Sequence, residues 1–547
     1  MDFNTTDDKE FRQYVEGRPY IKLGATVQGG YIIAYTVADR FEQIFKELGR
    51  SFSNIYPHIY GLMDRSSLDA AGIINVHRTP NMDLRGRGVL LGFIDTGIDF
   101  ANESFRYEDG TTKIAAIWDQ TIPGKPPADQ YMGTEYTRAD INEALKAEDP
   151  LELVPHRDTV GHGTFLASVA GGRGQDEYIG AAPDSDIIMV KVRKAREYFI
   201  NFMGYSRKND EIFSSSDVLL GIKYILDKAA QLGRPVAVCL GMGSNGGGHD
   251  GATILEQYLY AISSESGVAV CVPVGNEANA RHHTRGTVAK EGTTAEFQIN
   301  CGENTAAFML NVIMSPHDRM LVSVVSPTGD VVSRIPASIE TFEKKLALER
   351  SVVRVRYSFG ESNNILIVID APTKGIWTVR LYGEIILDGT FHSWLALPQF
   401  IDGEVEFLTP DPNFTAVTPA TAVGPITSGA YNPRDGSLYI SSSWGPSRVG
   451  LMNPDLAAPG VNIGGVLPDG YGTMTGTSVA TAITTGCCAI ALQWAILYKN
   501  DTSMNTFKLR TMLIRGCERT PETTYPNNRW GYGKLNLYNS FNVVKRL

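Results

Sequence analysis

The chain has 547 residues, 43% of them hydrophobic and 20% charged, which is the balance of an ordinary globular protein and excludes a disordered, collagenous or coiled-coil chain. Lys plus Arg number 50 against 60 Asp plus Glu, a net charge of -10, and this argues against a nucleic-acid binder, which carries a basic surplus. At roughly 100–200 residues per domain, the length suggests about three or four structural units.

The first 20 residues show no basic stretch followed by an apolar run, so no secretory signal peptide is expected and the protein is placed in the cytoplasm. Residues 1–60 read as a small α+β unit. Tyr31–Tyr35 is a strand, and Val37–Leu48 an amphipathic helix with Phe41, Ile44, Phe45 and Leu48 on one face. Sixty residues bury little core, so this unit is expected to lean on another.

From 61 to 283 the pattern alternates strand and helix. Gly88–Ile94, Asp186–Val192, Pro235–Leu240 and Gly267–Val274 are apolar strands, with helical patterns at Gly163–Gly171, Asp217–Leu232 and Ala252–Ser264. Strands apolar on both faces and separated by helices predict a parallel sheet covered on both sides. Residues 284–414 change texture. Short strands at Val352–Tyr357, Ile365–Ile369 and Trp377–Tyr382, separated by turn-formers, predict an inserted all-β sandwich or jelly roll. The α/β texture returns over 415–547. Its apolar run Ala480–Leu497 contains three Thr, a Gly and Gln493 and reads as a buried core helix, so no membrane span is expected. Six cysteines, at 239, 271, 301, 487, 488 and 517, form no C-x-x-C pair and are expected to be free thiols.

Four pieces carry residues suited to chemistry. Asp95 ends an apolar strand and is followed by Thr96-Gly97; His162 opens a helix between Gly161 and Gly163. Asn276 follows Gly275 at another strand end; Ser478 follows Gly476-Thr477 at the start of the apolar helix. Each has an ordinary reading as a turn residue, a structural His or a helix cap. Together they answer the needs of a serine nucleophile. The hydroxyl requires a base in contact, the base an orienting carboxylate, and the developing oxyanion two donors. Parallel strands deliver such groups to the carboxyl edge of one sheet.

These pieces resemble the signatures of the subtilisin-like serine proteases, the S8 family, over roughly 60–282 and 415–540. Leu456-Ala-Ala-Pro-Gly460 and Ser442–Pro446 add to the likeness. The resemblance implies a triad of Asp95, His162 and Ser478, with Asn276 as oxyanion donor, in a serine endopeptidase; no cofactor and no metal-ligating residue is assigned, and calcium binding is left open. It also implies that Cys239-Leu240-Gly241 belongs to the substrate-binding wall. A peptide or protein substrate is then expected as an extended strand between Ile212, Phe213 and Ser214 on one side and Leu240, Gly241 and Met242 on the other, with Gly275 lining the same site. Two departures stand out: Ala482 takes the place of a common Pro, and 67 residues separate Asp95 from His162. That long spacer, which holds Ile117–Ile122 and Gly133–Arg138, together with the β insert, is most similar to the clostridial Csp proteases of spore germination. The subgroup implies spore association and the proform of a spore-cortex hydrolase as substrate. The alternative of a different class is a pseudoprotease that binds or signals through the same groove without turnover; the intact triad argues against it.

By the same resemblance, residues 1–60 are a prodomain, an intramolecular chaperone whose tail fills the active-site groove. The tail is Asn54–Tyr60, where Pro57 disfavours helix, and self-cleavage is expected after Tyr60, leaving Gly61 as the new N-terminus. Gly241–Gly246 fits G-x-G-x-x-G formally but lacks an acidic residue at the distance a dinucleotide site requires. The adjacent His282-His283 reads as a loop, not a metal site.

Overall fold

The computed structural model describes residues 2–48, 59–62, 69–77, 83–174, 179–205, 211–338 and 340–545. Its centre is an eight-stranded sheet. In spatial order the strands are Leu456–Pro459, Ile426–Tyr431, Val268–Pro273, Val236–Leu240, Leu90–Asp95, Asp186–Lys191, Ile114–Asp119 and Thr134–Thr137. Every neighbouring pair is parallel except the last. Val236–Leu240 and Leu90–Asp95 are buried at every residue, which is why they read as continuous apolar runs. Helices His162–Gly171 and Thr477–Leu492 cover one face, packing Phe165, Leu166, Val479 and Ile483 against Leu91 and Phe93. Ser215–Leu232 and Ile254–Ile262 cover the other face.

Among the described residues one helical stretch, Thr477–Leu497, is long and apolar enough to cross a membrane, and 89% of its apolar window is buried in the protein. It is the central core helix. The six cysteines are buried free thiols.

The N-terminal unit is a three-stranded sheet with Tyr31–Thr36 between Asp2–Thr6 and Ile21–Val27, together with helices Lys9–Val15 and Ala38–Leu48. Asp8 caps the first helix by accepting from the Phe11 N–H at 2.8 Å. The unit completes its core on its neighbour: Phe3, Phe11, Phe41 and Ile44 pack with Ala195 and Phe199, and the Phe41 and Phe199 rings lie edge-on at 5.2 Å.

Residues 283–407 form two antiparallel sheets. One runs His283–Thr287, Thr390–Leu395, Ala307–Met314, Asn363–Asp370, Val352–Ser358 and Phe342–Lys345; the other runs Val331–Ile335, Arg319–Val325, Gly375–Ile385, Thr294–Cys301 and Val405–Phe407. Phe308, Leu310 and Ile367 from the first share a core with Val322, Trp377 and Phe297 from the second. The chain enters and leaves at one place, where the Phe407 N–H donates to Arg281 O and the Asp411 N–H to His283 O.

At that junction four of the nine histidines are buried. His283 Nε2 and His392 Nδ1 are 3.0 Å apart, His249 stacks on Trp394 at 4.0 Å, and His282 Nε2 meets Val405 O. His283 opens the strand His283–Thr287, His282 immediately precedes it, and both are buried in the core, not in a solvated loop. Burial, reinforced at His392 by His283, Arg448 and Arg285, pushes His249, His282 and His283 down to about 4 and His392 to about 3. The unfolded chain takes up protons at these positions near pH 6.5, whereas the fold resists them until about pH 4. Their contribution is full above pH 6.5 and drains away as pH falls through that window. Tm is expected to drop between pH 6.5 and 4, and more shallowly in His392→Asn, which keeps a polar partner for His283 but cannot titrate. Thermal melts across this range check it; equal slopes in the two proteins would contradict it.

Candidate active site

Asp95, His162, Asn276 and Ser478 converge on the carboxyl edge of the sheet. Asp95 is the last residue of its strand, and its Oδ1 accepts from the Thr96 N–H at 2.8 Å. His162 opens its helix after Gly161, whose φ of +88° suits glycine. Asp158 pins that opening, accepting from Gly161 N, Thr164 N and Thr164 Oγ1 at 2.7–2.8 Å. A Cβ at Gly163 would collide with the Gly97 carbonyl, so glycine there lets the helix approach the turn after Asp95.

The side chains form one line. His162 Nδ1 donates to Asp95 Oδ1 at 2.8 Å and lies 3.0 Å from Oδ2; the Ser478 hydroxyl lies 3.2 Å from His162 Nε2. All three residues are buried, none more than 4% exposed. With Nδ1–H committed to the carboxylate, Nε2 is the basic nitrogen facing the hydroxyl. Ser478 is the second residue of helix Thr477–Leu492, so its own N–H belongs to the unsatisfied first turn. Asn276 sits beside it. Its Oδ1 accepts from both Thr477 N and Thr477 Oγ1 at 3.2 Å, which fixes Nδ2 as the donor end of the amide. The Gly275 N–H donates to the same Thr477 hydroxyl at 3.3 Å. Next in sequence, Glu277 is pushed up to about 7 by burial, an effect that the Asn245 amide at 2.9 Å opposes.

The groove beside these groups holds a strand of the chain itself. Ile59–Leu62 runs between Phe213–Ser214 and Met242–Gly243, antiparallel to both. Ile59 pairs with Ser214 and Tyr60 with Phe213; Gly61 pairs with Gly243 and Leu62 with Met242. Of the residues expected as walls, Phe213, Ser214 and Met242 thus pair directly with this strand. Gly243 joins them, unanticipated from the sequence. Ile212 faces the core and its carbonyl accepts from Ala195 N, while Leu240 belongs to the central sheet opposite Ile94. Gly241 lies against the catalytic groups: a Cβ there would be 2.9 Å from Asp95 Oδ2 and 3.1 Å from His162 Cε1.

Gly61 is opposite Gly243, two residues or about 7 Å of strand away from Gly241, and the chain runs toward the triad as residue number rises. The expected cut after Tyr60 thus falls within the strand itself, where Tyr60 pairs with Phe213 and Gly61 with Gly243. Residues 54–58 of the expected tail, and 63–68 beyond it, lie outside the described residues.

Sequence reading also missed Thr477 as the partner of Asn276 and the Ile117–Ile122 segment as part of the site's frame. In that segment Gln120 Nε2 donates to Asp217 O and its Oε1 accepts from Arg193 N, tying the segment to the helix that follows Phe213–Ser214. No group of three or more His, Cys, Asp or Glu arranged to hold a metal occurs among the described residues.

A family model described as the subtilase family, Peptidase_S8, matches residues 410–533. Over 121 residues the chain is 31% identical to the subtilisin-like protease SBT3.5 of Arabidopsis thaliana, a match covering 20% of this chain and 15% of that protein. Over 164 residues it is 27% identical to bacillopeptidase F of Bacillus subtilis strain 168, covering 28% of this chain and 11% of that one. The chain therefore spans only a small part of these two relatives. Among solved structures, that of the CspB protease of Clostridium perfringens is similar with a TM-score of 0.77 at 30% identity, over 88% of this chain and 99% of that one.

Proposed function

The chain belongs to the subtilisin-like, or S8, family, and from that premise we propose that it is a serine endopeptidase acting on peptide or protein substrates, that Asp95, His162 and Ser478 are its triad and that it processes its own N-terminal unit. The observation that carries the reading is the hydrogen-bonded line Asp95–His162–Ser478 with Asn276 beside the serine. Ser478 Oγ attacks the scissile carbonyl carbon as His162 Nε2 takes the hydroxyl proton. Asp95 holds the Nδ1–H tautomer and stabilises the imidazolium. The carbonyl oxygen becomes an oxyanion held by Asn276 Nδ2–H and the Ser478 N–H. The imidazolium then gives its proton to the leaving amine, and water hydrolyses the acyl-enzyme by the same route. Substrate occupies the strand position between Phe213–Ser214 and Met242–Gly243, where main-chain pairing supplies affinity without demanding particular side chains.

The strand Ile59–Leu62 in that position supports self-processing with the prodomain bound in its own groove. From its direction toward Gly241 we infer a cut after Leu62 and before Asp69. Edman sequencing of the purified protein is expected to find a new N-terminus in that interval for the wild type and an uncut chain for Ser478→Ala. A cut after Tyr60, or the same cut in both proteins, would refute the assignment. Labelling of Ser478 by a fluorophosphonate separates this enzyme from a pseudoprotease, which would leave the probe unreacted. The germination role rests on the Csp-like spacer and insert: the substrate is the proform of a spore-cortex hydrolase, which purified enzyme should convert to a shorter, active form.

A further inference from the structure

The long spacer between Asp95 and His162 contains a second carboxylate–imidazole pair, Asp119 and His156, which the triad does not use. Asp119 ends the strand Ile114–Asp119, and His156 lies in the loop leading to Asp158 and His162. Both side chains are wholly buried, and His156 Nδ1 is 2.6 Å from Asp119 Oδ2. The other carboxylate oxygen, Oδ1, accepts from Thr121 N at 2.8 Å and from the Thr121 hydroxyl, so the carboxylate is fixed at both ends. Burial alone would raise Asp119, but the His156 and Thr121 bonds outweigh it and hold the group below its ordinary value, a carboxylate and not an acid. An acceptor at Oδ2 obliges His156 to carry its proton on Nδ1, which makes Nε2 a lone-pair acceptor. That acceptor receives the backbone N–H of Ile98 at 3.1 Å.

Ile98 is three residues from Asp95. Between them Gly97 has φ +118°, and a Cβ on it would come within 3.1 Å of His156 Cε1, so the ring is seated directly against the turn. The same turn reaches the histidine helix on its other side, where the Gly163 N–H donates to Thr96 Oγ1 and the Asp99 N–H to Thr164 Oγ1. Thr96 in turn donates to Asp95 Oδ1 through its N–H and its hydroxyl. Asp119 and His156 are thus tied by hydrogen bonds to Ile98, the backbone turn Thr96-Gly97-Ile98 carries the link, and Thr96 passes it by hydrogen bonds to the Asp95 carboxylate.

We propose that Asp119 and His156 are positioning residues for the proteolytic reaction: the pair presents one fixed lone pair to Ile98 N–H and so sets the orientation of Asp95 toward His162. This rests on the reading of Asp95 as the triad carboxylate. His156 touches no reacting atom, and its contribution is geometric. A displaced Asp95 weakens stabilisation of the imidazolium that forms only during reaction, so the loss falls on kcat and not on substrate binding.

The test uses two amides that copy opposite ends of the imidazole. His156→Gln places an oxygen acceptor where Nε2 lies and keeps the bond to Ile98. His156→Asn keeps a donor toward Asp119 and leaves the Ile98 N–H unpaired. The full-length proteins are compared in peptide hydrolysis and in the rate of fluorophosphonate labelling, each per folded molecule, with Tm measured alongside. His156→Asn is expected to lose about 10- to 100-fold in kcat at unchanged KM, and His156→Gln to stay near wild type. Should His156→Asn fail to accumulate, Asp119→Asn, nearly the same shape, carries the test: its amide permits either tautomer of His156, and kcat should fall at unchanged KM. Equal kcat in the Gln and Asn variants, or effects confined to Tm or KM, would overturn the proposal. Failure of the triad reading is distinguishable, because Ser478→Ala would then retain activity whatever stands at 156.

Discussion

Ser478→Ala is expected to lower kcat by about 10⁶-fold and to leave an uncut, fully folded chain. The magnitude follows from how the three groups act. Ser478 Oγ faces His162 Nε2 at 3.2 Å, and His162 Nδ1 is committed to Asp95, so base and carboxylate have no purpose without the hydroxyl. What survives is catalysis by oxyanion donors and binding alone, acting on water. The fold should tolerate the change. Ser478 lies inside a helix of small and apolar residues, alanine is the best helix former, and one hydroxyl leaves a void smaller than a methyl group. Peptide hydrolysis by protein from a protease-deficient host, with Tm measured in parallel, checks both halves. Turnover within tenfold of wild type would remove Ser478 from the mechanism. A collapse in Tm would mean that the hydroxyl holds the helix start in place.

The parts of this molecule legible in the sequence are those encoded within a dozen residues. Leu90–Asp95, Asp186–Lys191, Val236–Leu240 and Val268–Pro273 are buried on both faces, so each is a short apolar run bounded by turn residues. The four reactive pieces were legible for the same reason: each sits at one strand end or helix start with its glycine or threonine beside it. What stayed hidden depends on pairing across long separations. Ile59–Leu62 finds its partners about 150 and 180 residues away, and no local pattern states that Gly243 lies on its flank. Thr134–Thr137 is a polar strand at the sheet edge and gives no hydrophobic signal. Asp119 and His156 each look like loop residues; only the fold brings them to 2.6 Å. His282-His283 misled because a polar pair reads as surface, whereas backbone carbonyls and neighbouring rings bury it.

Asn276→Ala is expected to reduce kcat by about 10²- to 10³-fold, equivalent to about 2.7–4 kcal/mol, with KM almost unchanged. The donor acts mainly as charge develops, not when substrate binds. Thr477 holds Asn276 Oδ1 with two bonds at 3.2 Å, one from the backbone and one from its hydroxyl. The amide is therefore oriented before any substrate arrives, and no rearrangement is required as negative charge develops on the carbonyl oxygen. A ground-state carbonyl carries less charge and lies further from the donor, so its loss weakens substrate binding little. The helix N-terminus at Ser478 remains in the variant, and this is why the loss stops well short of that for Ser478→Ala. Steady-state kinetics on one peptide substrate separates the parameters. An effect on KM alone would assign Asn276 to substrate binding. Loss of both activity and fold would instead mean that the Thr477 contacts serve the helix start and not the oxyanion.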